Sequence, residues 1–323
     1  MLLEVRNLSI YAKSRDGEYP LTENVSLSLD RKSILGLVGE SGSGKSITSM
    51  AIMGLLSKNL YVKSGEIIFD GENLSKMDEV SRRKLLGNDI SMIFQNYKSS
   101  LNPIYDIGHQ IKEVIQIHDK SVSDEDAEKR ALELLKDVEI PNPAEAIRKY
   151  PHNFSGGQLQ RIMIAMAIAN KPKLIIADEA TTSLDITTQK NIMDLLVDIV
   201  NKNDTSLLVI SHNLALIESV CHEIAIMYSG KIVEYIESDY ILSQSRHPYT
   251  NQLIKAIPDN VEKGERLYAI EGTVTPLRHC KYDCTFYDRC SARLEICKEP
   301  LEYRDLSEKH SVYCHRVKDE KND

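Results

Sequence analysis

The sequence predicts an α/β protein whose mainly parallel sheet is flanked by helices. Three observations carry this expectation. Ser33–Val38 (SILGLV), Leu174–Ala177 (LIIA) and Leu207–Ile210 (LLVI) are short unbroken apolar runs, as in strands buried on both faces. A segment of helical spacing, 187–202, lies between the last two, which is the alternation of a sheet wrapped by helices. A glycine-rich stretch, GESGSGKS (39–46), follows the first run and precedes helical spacing over Ile47–Leu56.

Taken in order, residues 2–10 and 25–29 alternate apolar and polar, as half-buried strands do. Gly65–Gly71 (GEIIFDG) reads as a strand between turn glycines. Residues 107–140 are polar and helical in pattern, and Ser123 with Asp126 marks a capped start. Ser155–Ala169 reads as a helix opening on glycines. Near 258–276 the texture changes, with Pro258, Gly264, Gly272 and Pro276 and weak periodicity, and a domain boundary is expected there. The final VKDEKND reads as a solvated tail.

Composition narrows the function. The 323 residues are 42% hydrophobic and 27% charged, as in a soluble globular protein with a real core. A net charge of -8 and a pI near 5.7 disfavour a general nucleic-acid binder, which needs a basic face. The N-terminal sequence lacks the basic and apolar regions of a signal peptide. The most apolar segment, Ile162–Ala169 (IMIAMAIA), is too short to span a bilayer. A cytosolic chain is expected, reaching a membrane only through a partner.

The stretch 39–46 matches G-x-x-x-x-G-K-[ST]. Gly39, Gly42 and Gly44, with Glu40, Ser41 and Ser43 between them, let backbone amides face phosphates without a side-chain clash. The following helix offers its N-terminus to anions. Lys45 would neutralise β- and γ-phosphates and Ser46 would ligate Mg²⁺. At the end of a buried strand, Asp178 would hold Mg²⁺ and Glu179 would serve as general base for the attacking water. His212, after LLVIS, would reach the γ-phosphate, and Gln95, in SMIFQN, would touch Mg²⁺ or the water. FSGGQ (154–158) is a second anion-binding helix start, with Ser155, Gly156 and Gly157. One nucleotide has no use for two such sites on one chain. A second copy, or a paralogue, gives each a purpose, with two nucleotides held at a two-fold interface.

In this order (GESGSGKS, Gln95, FSGGQ, LIIADE, SLD at 183–185, His212) the sequence resembles the nucleotide-binding subunits of ABC transporters over nearly its whole length. The resemblance implies a P-loop NTPase fold of ABC type with a mainly parallel sheet, a helical subdomain over about 96–165 and an antiparallel β subdomain, all within 1–257. It implies a small cysteine-rich C-terminal extension over 258–323. By resemblance, Ser155, Gly156, Gly157 and Gln158 act in trans as the signature, Asp185 belongs to the loop linking the two sites, and Tyr11 stacks on adenine with Tyr19 as competitor. The signature begins with Phe154 where leucine is usual, and the amide-presenting residues remain.

SSLNP (99–103), HPYT (247–250) and the cysteine-rich end are similar to features of oligopeptide/dipeptide-type importers, a group that includes nickel importers. Taken singly, SSLNP is a plain turn and HPYT a helix start; their joint occurrence in this order points to the group. The resemblance implies an ATPase at the cytoplasmic face of the cell membrane that energises import. Its partners would be two membrane permeases, a paralogous ATPase or a second copy of itself, and, indirectly, an extracytoplasmic solute-binding protein. Peptide is the expected solute, with nickel, metal chelates or glutathione-like solutes as alternatives. ATP would close the dimer and hydrolysis would reopen it. A soluble ABC-type ATPase acting on ribosomes or DNA would usually carry two cassettes or a long coiled coil, and this chain has neither. A zinc-finger regulator lacks its basic stripe here, and SSLNP with HPYT favours import over export.

One feature lies outside the ATP chemistry. His279–Cys297 holds four cysteines, Cys314 follows, and Cys221 is the sixth. In a reducing compartment clustered thiols are metal ligands or redox groups more than disulfides. Four thiolates complete an iron–sulfur cluster or a tetrahedral zinc site, and spacing alone leaves both open. The family pattern C-x5-C-x6-C-x16-C falls on Cys284, Cys290, Cys297 and Cys314 and implies a [4Fe–4S] cluster, with zinc the alternative. Cys280 is left over, as a free thiol or alternative ligand, and Cys221 is expected in the core.

Overall fold

The computed structural model describes residues 1–15, 17–181, 184–258 and 268–317. They form two compact units: Met1–Leu29, Ile34–Ser75 and the chain from Ile210 onward make the first, and Asp30–Ser33 with Lys76–Val209 the second. The first unit opens with β1 (Leu3–Ser14) and β2 (Gly17–Leu29). β3 (Ile34–Val38) leads into the helix Lys45–Met53, and β4 (Leu60–Phe69) and β5 (Glu72–Asn73) follow. β2, β1, β4 and β5 form one antiparallel sheet in that order. Leu3, Val5, Leu8, Ile10 and Ala12 of β1 are buried. The alternation slips once, where β1's register shifts between Val5 and Leu8 and Asn7 adopts φ 47°, a bulge in a residue type that tolerates it.

The second unit carries β6 (Ile90–Ile93), β7 (Leu174–Asp178) and β8 (Ser206–Ser211), whose first four residues belong to it; their order is β6, β7, β8. β6 and β7 run parallel with Ile93 opposite Ala177. The helical stretch expected over 107–140 is two helices, Ile107–His118 and Asp124–Asp137. Ser123 caps the second by accepting from the amide of Asp126 at 3.1 Å. Ile107, Ile111 and Ile115 on the first helix and Ala127, Ala131 and Leu134 on the second recur at helical spacing, and all are buried. The helices Gly156–Ile168 and Ile186–Asn203 complete the unit.

The first unit resumes with β9 (Glu223–Tyr228), β10 (Lys231–Glu237), β11 (Arg304–Ser307) and β12 (His310–Val312). β9 runs parallel to β3, with Val38 opposite Ile226. From β9 outward the pairing turns antiparallel, through β10 and β12 to β11. The short connection explains the change: Ser229 at φ 42° and Gly230 at φ 80° make a two-residue hairpin turn, which cannot return a parallel strand. The sheet expected to be mainly parallel thus carries an antiparallel run at this edge. β12 pairs with β10 at Glu234–Val312, so the C-terminal segment lends a strand to this sheet. The part of the expected boundary at 259–267, Ser183 of SLD, and residues 318–323 of the tail lie outside the described residues. Among the described residues no helix is long and apolar enough to cross a membrane.

Candidate nucleotide site

Within the first unit, β3 is buried along its whole length and delivers Gly39 at its C-terminal end. A Cβ on Gly39 would sit 2.1 Å from the Met227 carbonyl oxygen, so the approach of β9 requires glycine. Gly42 needs glycine for a different reason: nothing lies within 4 Å of its would-be Cβ, but its φ is +81°. Gly44, at φ 107°, starts the helix Lys45–Met53 without a side-chain cap, and the helix N-terminus carries the positive end of its dipole. Lys45 is 4% exposed. Its ammonium donates to the carbonyls of Gly39 (2.8 Å) and Glu40 (3.0 Å) and to Ser43 Oγ (3.4 Å). Ser43 in turn donates its amide to Glu40 O at 3.2 Å. Ser41 and Ser46 are exposed on the same loop and first helical turn. Loop oxygens thus surround one buried cation at a helix N-terminus, a setting that suits a polyphosphate.

Two residues that sequence reading did not assign to the site hold Glu40. The Tyr249 hydroxyl accepts from the Glu40 amide at 2.9 Å. Arg289 grips the Glu40 carboxylate with both terminal nitrogens, at 2.9 and 3.1 Å. Tyr249 is fully buried, edge-on to Tyr228 at 4.7 Å and close to Phe286, and burial pushes its phenol well above the usual range. HPYT is therefore more than a helix start. His247 Nδ1 accepts from the Tyr249 amide at 3.1 Å and caps the helix Pro248–Lys255. The His247 amide donates to Glu234 at 3.2 Å. Burial lowers His247 to about 4, against the opposing pull of Glu234.

Tyr11 lies on β1, where its hydroxyl meets Glu23 at 3.3 Å and Lys63 lies over its ring at 5.6 Å. The ring of Tyr19 is covered by the guanidinium of Arg278 at 4.7 Å. His212 follows β8 and is exposed.

In the second unit Asp178 ends β7, 5% exposed, and Glu179 follows at φ 47°. A left-handed glutamate is strained, by about 1 kcal/mol, and such strain gathers at sites where a side chain must be aimed. The register of β6 and β7 places residues 93 and 177 opposite, hence Gln95 beside Glu179. The Gln95 amide donates to the Glu179 carboxylate at 2.6 Å. Ser155 and Gln158 form a reciprocal capping box, Ser155 N to Gln158 Oε1 at 3.0 Å and Gln158 N to Ser155 Oγ at 3.4 Å. This stiffens the turn that presents Gly156 and Gly157. Gly157 packs toward Thr188: its would-be Cβ lies 3.1 Å from that methyl group. Asp185 caps the helix Ile186–Asn203 through the Thr188 amide (3.0 Å) and hydroxyl (2.7 Å). Its carboxyl is held below the usual range first by that hydroxyl.

The cysteines of the C-terminal segment share one neighbourhood. Burial raises the Cys284 thiol to about 12, with Cys297, Cys314 and Cys290 adding to the shift. Cys290 and Cys314 are raised by burial in the same way. All are free thiols. Among the described residues, however, no group of three or more His, Cys, Asp or Glu side chains is disposed to hold a metal ion. The thiols as placed are therefore near one another without forming a ligand set, and the expected cluster gains no support from them. Cys280 is separate, with Ser229 Oγ at 3.6 Å and the Thr275 carbonyl at 3.8 Å. Cys221 is buried in the core beside Gly36, as expected.

Known proteins share this organisation. Residues 22–182 match the ABC transporter family, and residues 233–297 match the oligopeptide/dipeptide transporter C-terminal region. The chain is 40% identical over 319 residues to the dipeptide transport ATP-binding protein DppD of Escherichia coli (strain K12), covering 97% of this chain and 96% of that protein. It is 44% identical over 315 residues to the oligopeptide transport ATP-binding protein OppD of Bacillus subtilis (strain 168), covering 96% and 87%. A solved ATP-binding cassette, dimeric in a post-hydrolysis state with ADP and Pi, superposes with a TM-score of 0.66 at 26% identity, over 73% of this chain and 99% of that one.

Proposed function

Since the chain belongs to the ABC transporter family, we propose that it is the ATP-hydrolysing subunit that energises uptake of dipeptides or oligopeptides through partner membrane permeases. The observation that carries the ATPase assignment is Lys45, buried inside its own glycine loop with its ammonium on the loop's oxygens. A phosphate oxygen binding there takes over that ammonium, and the helix Lys45–Met53 adds its amides. Gly39, Glu40, Ser41, Gly42, Ser43, Gly44 and Ser46 are the rest of the proposed ATP loop, with Tyr11 as the proposed adenine platform. Ser46, Gln95 and Asp178 are the proposed holders of Mg²⁺, which would neutralise charge on the β- and γ-phosphates.

Hydrolysis adds water to the γ-phosphorus and breaks its bond to the β-γ bridging oxygen, giving ADP and phosphate. Glu179 accepts the proton of the water, with Gln95 orienting that carboxylate and His212 assisting at the γ-phosphate. The proposed contribution of Ser155, Gly156, Gly157 and Gln158 is made to the nucleotide of a partner ATPase, a paralogue or a second copy, and Asp185 belongs to the loop linking the two sites. We propose residues 1–257 as the ATPase portion, with its helical subdomain over about 96–165, and 258–323 as the C-terminal extension. The proposed station is the cytoplasmic face of the membrane, on two permeases supplied by a solute-binding protein.

For the extension, the proposal is a structural metal staple on Cys284, Cys290, Cys297 and Cys314, with a [4Fe–4S] cluster ahead of zinc. The family spacing and the thiols' common neighbourhood support it, while their present disposition does not; no step of hydrolysis passes through it. An anaerobic preparation with bound iron and absorbance at about 400 nm supports the cluster, and a colourless, iron-free one rejects it.

The deciding experiment for the whole is ATP hydrolysis by the chain assembled with its permeases and partner ATPase in vesicles. Peptide-loaded binding protein should stimulate phosphate release. Turnover that ignores peptide, or a chain that binds no Mg·ATP, rejects the assignment.

A further inference from the structure

We infer that Arg289 is a positioning residue for nucleotide binding, acting through Glu40 of the phosphate loop. The inference rests on the ATP-binding assignment above. Glu40 is the one acidic residue in GESGSGKS. A carboxylate on a loop that takes a polyanion repels its ligand unless it is neutralised or turned away. Arg289 neutralises it, with two parallel bonds of 2.9 and 3.1 Å. The Arg289 side chain is 6% exposed and that of Glu40 29%, so solvent and salt screen the pair less than a surface ion pair.

The guanidinium is itself held. Nε donates to the Glu271 carbonyl at 2.9 Å, Nη1 also donates to the Tyr228 hydroxyl at 3.3 Å, and Nη2 also to the Gly272 carbonyl at 3.5 Å. With the bonds to Glu40, each of its five N–H donors has an acceptor. Such a fork is preorganised, and lysine cannot reproduce it. Glu40 also receives the Lys45 ammonium on its carbonyl and gives its amide to Tyr249. Arg289 therefore fixes the residue whose carbonyl meets Lys45. A residue of the cysteine-bearing segment thus sets both the charge and the place of the phosphate loop. A role confined to tying the segment down would leave nucleotide affinity indifferent to the Glu40 charge.

The test is a Mg·ATP titration on the full chain, paired with thermal melting. Arg289→Ala should raise Kd about five- to tenfold while the chain stays folded. Arg289→Lys should raise it about threefold, since the charge stays and the fork is lost. Adding Glu40→Gln to Arg289→Ala should bring Kd back to within about twofold of Glu40→Gln alone, because the unpaired carboxylate is gone. Wild-type affinity in Arg289→Ala or Arg289→Lys overturns the inference. So does an affinity loss in Arg289→Ala that Glu40→Gln leaves uncorrected. Should Arg289→Ala fail to fold, Arg289→Lys decides alone. A wild-type chain without ATP affinity rejects the nucleotide assignment itself, a separate outcome.

Discussion

Gln95 and Glu179 are joined by a 2.6 Å hydrogen bond that the parallel register of β6 and β7 sets up. A carboxylate gripped by an amide donor is held in one orientation. Glu179→Gln removes the proposed base and keeps the shape. Turnover should fall about 100-fold or more while ATP still binds. The ATP-bound dimer should persist on size exclusion with the partner ATPase; undiminished phosphate release contradicts the assigned role.

Lys45→Ala removes the ammonium that the loop is folded around. Mg·ATP affinity should drop about tenfold or more, read by fluorescence titration, since a charge-assisted contact to phosphate is lost. An unchanged Kd would show that the loop's amides suffice.

The two glycine requirements in the loop differ in kind, and their alanine variants should differ too. Gly39→Ala drives a methyl into the Met227 carbonyl and should cost about 2 kcal/mol or more in denaturant unfolding. Gly42→Ala meets open space and bears only the strain of a positive φ, about 1 kcal/mol. Equal losses would refute the steric account of Gly39.

His247 gives the first unit a specific acid sensitivity. Its value is lowered from 6.5 to about 4, so the unfolded chain binds this proton first as pH falls. The contribution is fully present above pH 6.5, is lost progressively below it, and levels off once the folded form also protonates near 4. The whole loss is up to about 3 kcal/mol. Urea midpoints from pH 7.5 to 4.5 should show it. His247→Asn, which keeps a capping acceptor, should flatten that part of the slope.

Much of this was legible locally. The apolar runs at 33–38, 174–177 and 207–210 became β3, β7 and β8, because burial on both faces leaves an unbroken apolar stretch. The glycine loop and the Ser123 and Ser155 caps were readable because glycine, serine and their partners lie within a few residues of one another. The Gln95–Glu179 contact was not, since it depends on strand register between segments 84 residues apart. The antiparallel turn of the first unit's sheet hid in Ser229–Gly230, a dipeptide less telling than Asn-Gly. Arg289 and Glu40 stand 249 positions apart, and no periodicity or spacing couples them. Neither Tyr249 nor Arg289 belongs to a phosphate-binding pattern; only packing reveals that each reaches the loop.

The hairpin turn at Ser229–Gly230 reaches further than the strands it joins. The Gly230 amide donates to the Ser43 carbonyl at 2.8 Å, and its own carbonyl accepts from Glu23 at 2.9 Å. The phosphate loop is thereby stitched to two strands as well as to Tyr249 and Arg289. A segment so tethered has little conformational entropy left to surrender when a ligand arrives. Its stiffness is a standing property of the unit, and loop amides such as those of Glu40 and Ser43 should exchange with solvent deuterium slowly before any nucleotide is added.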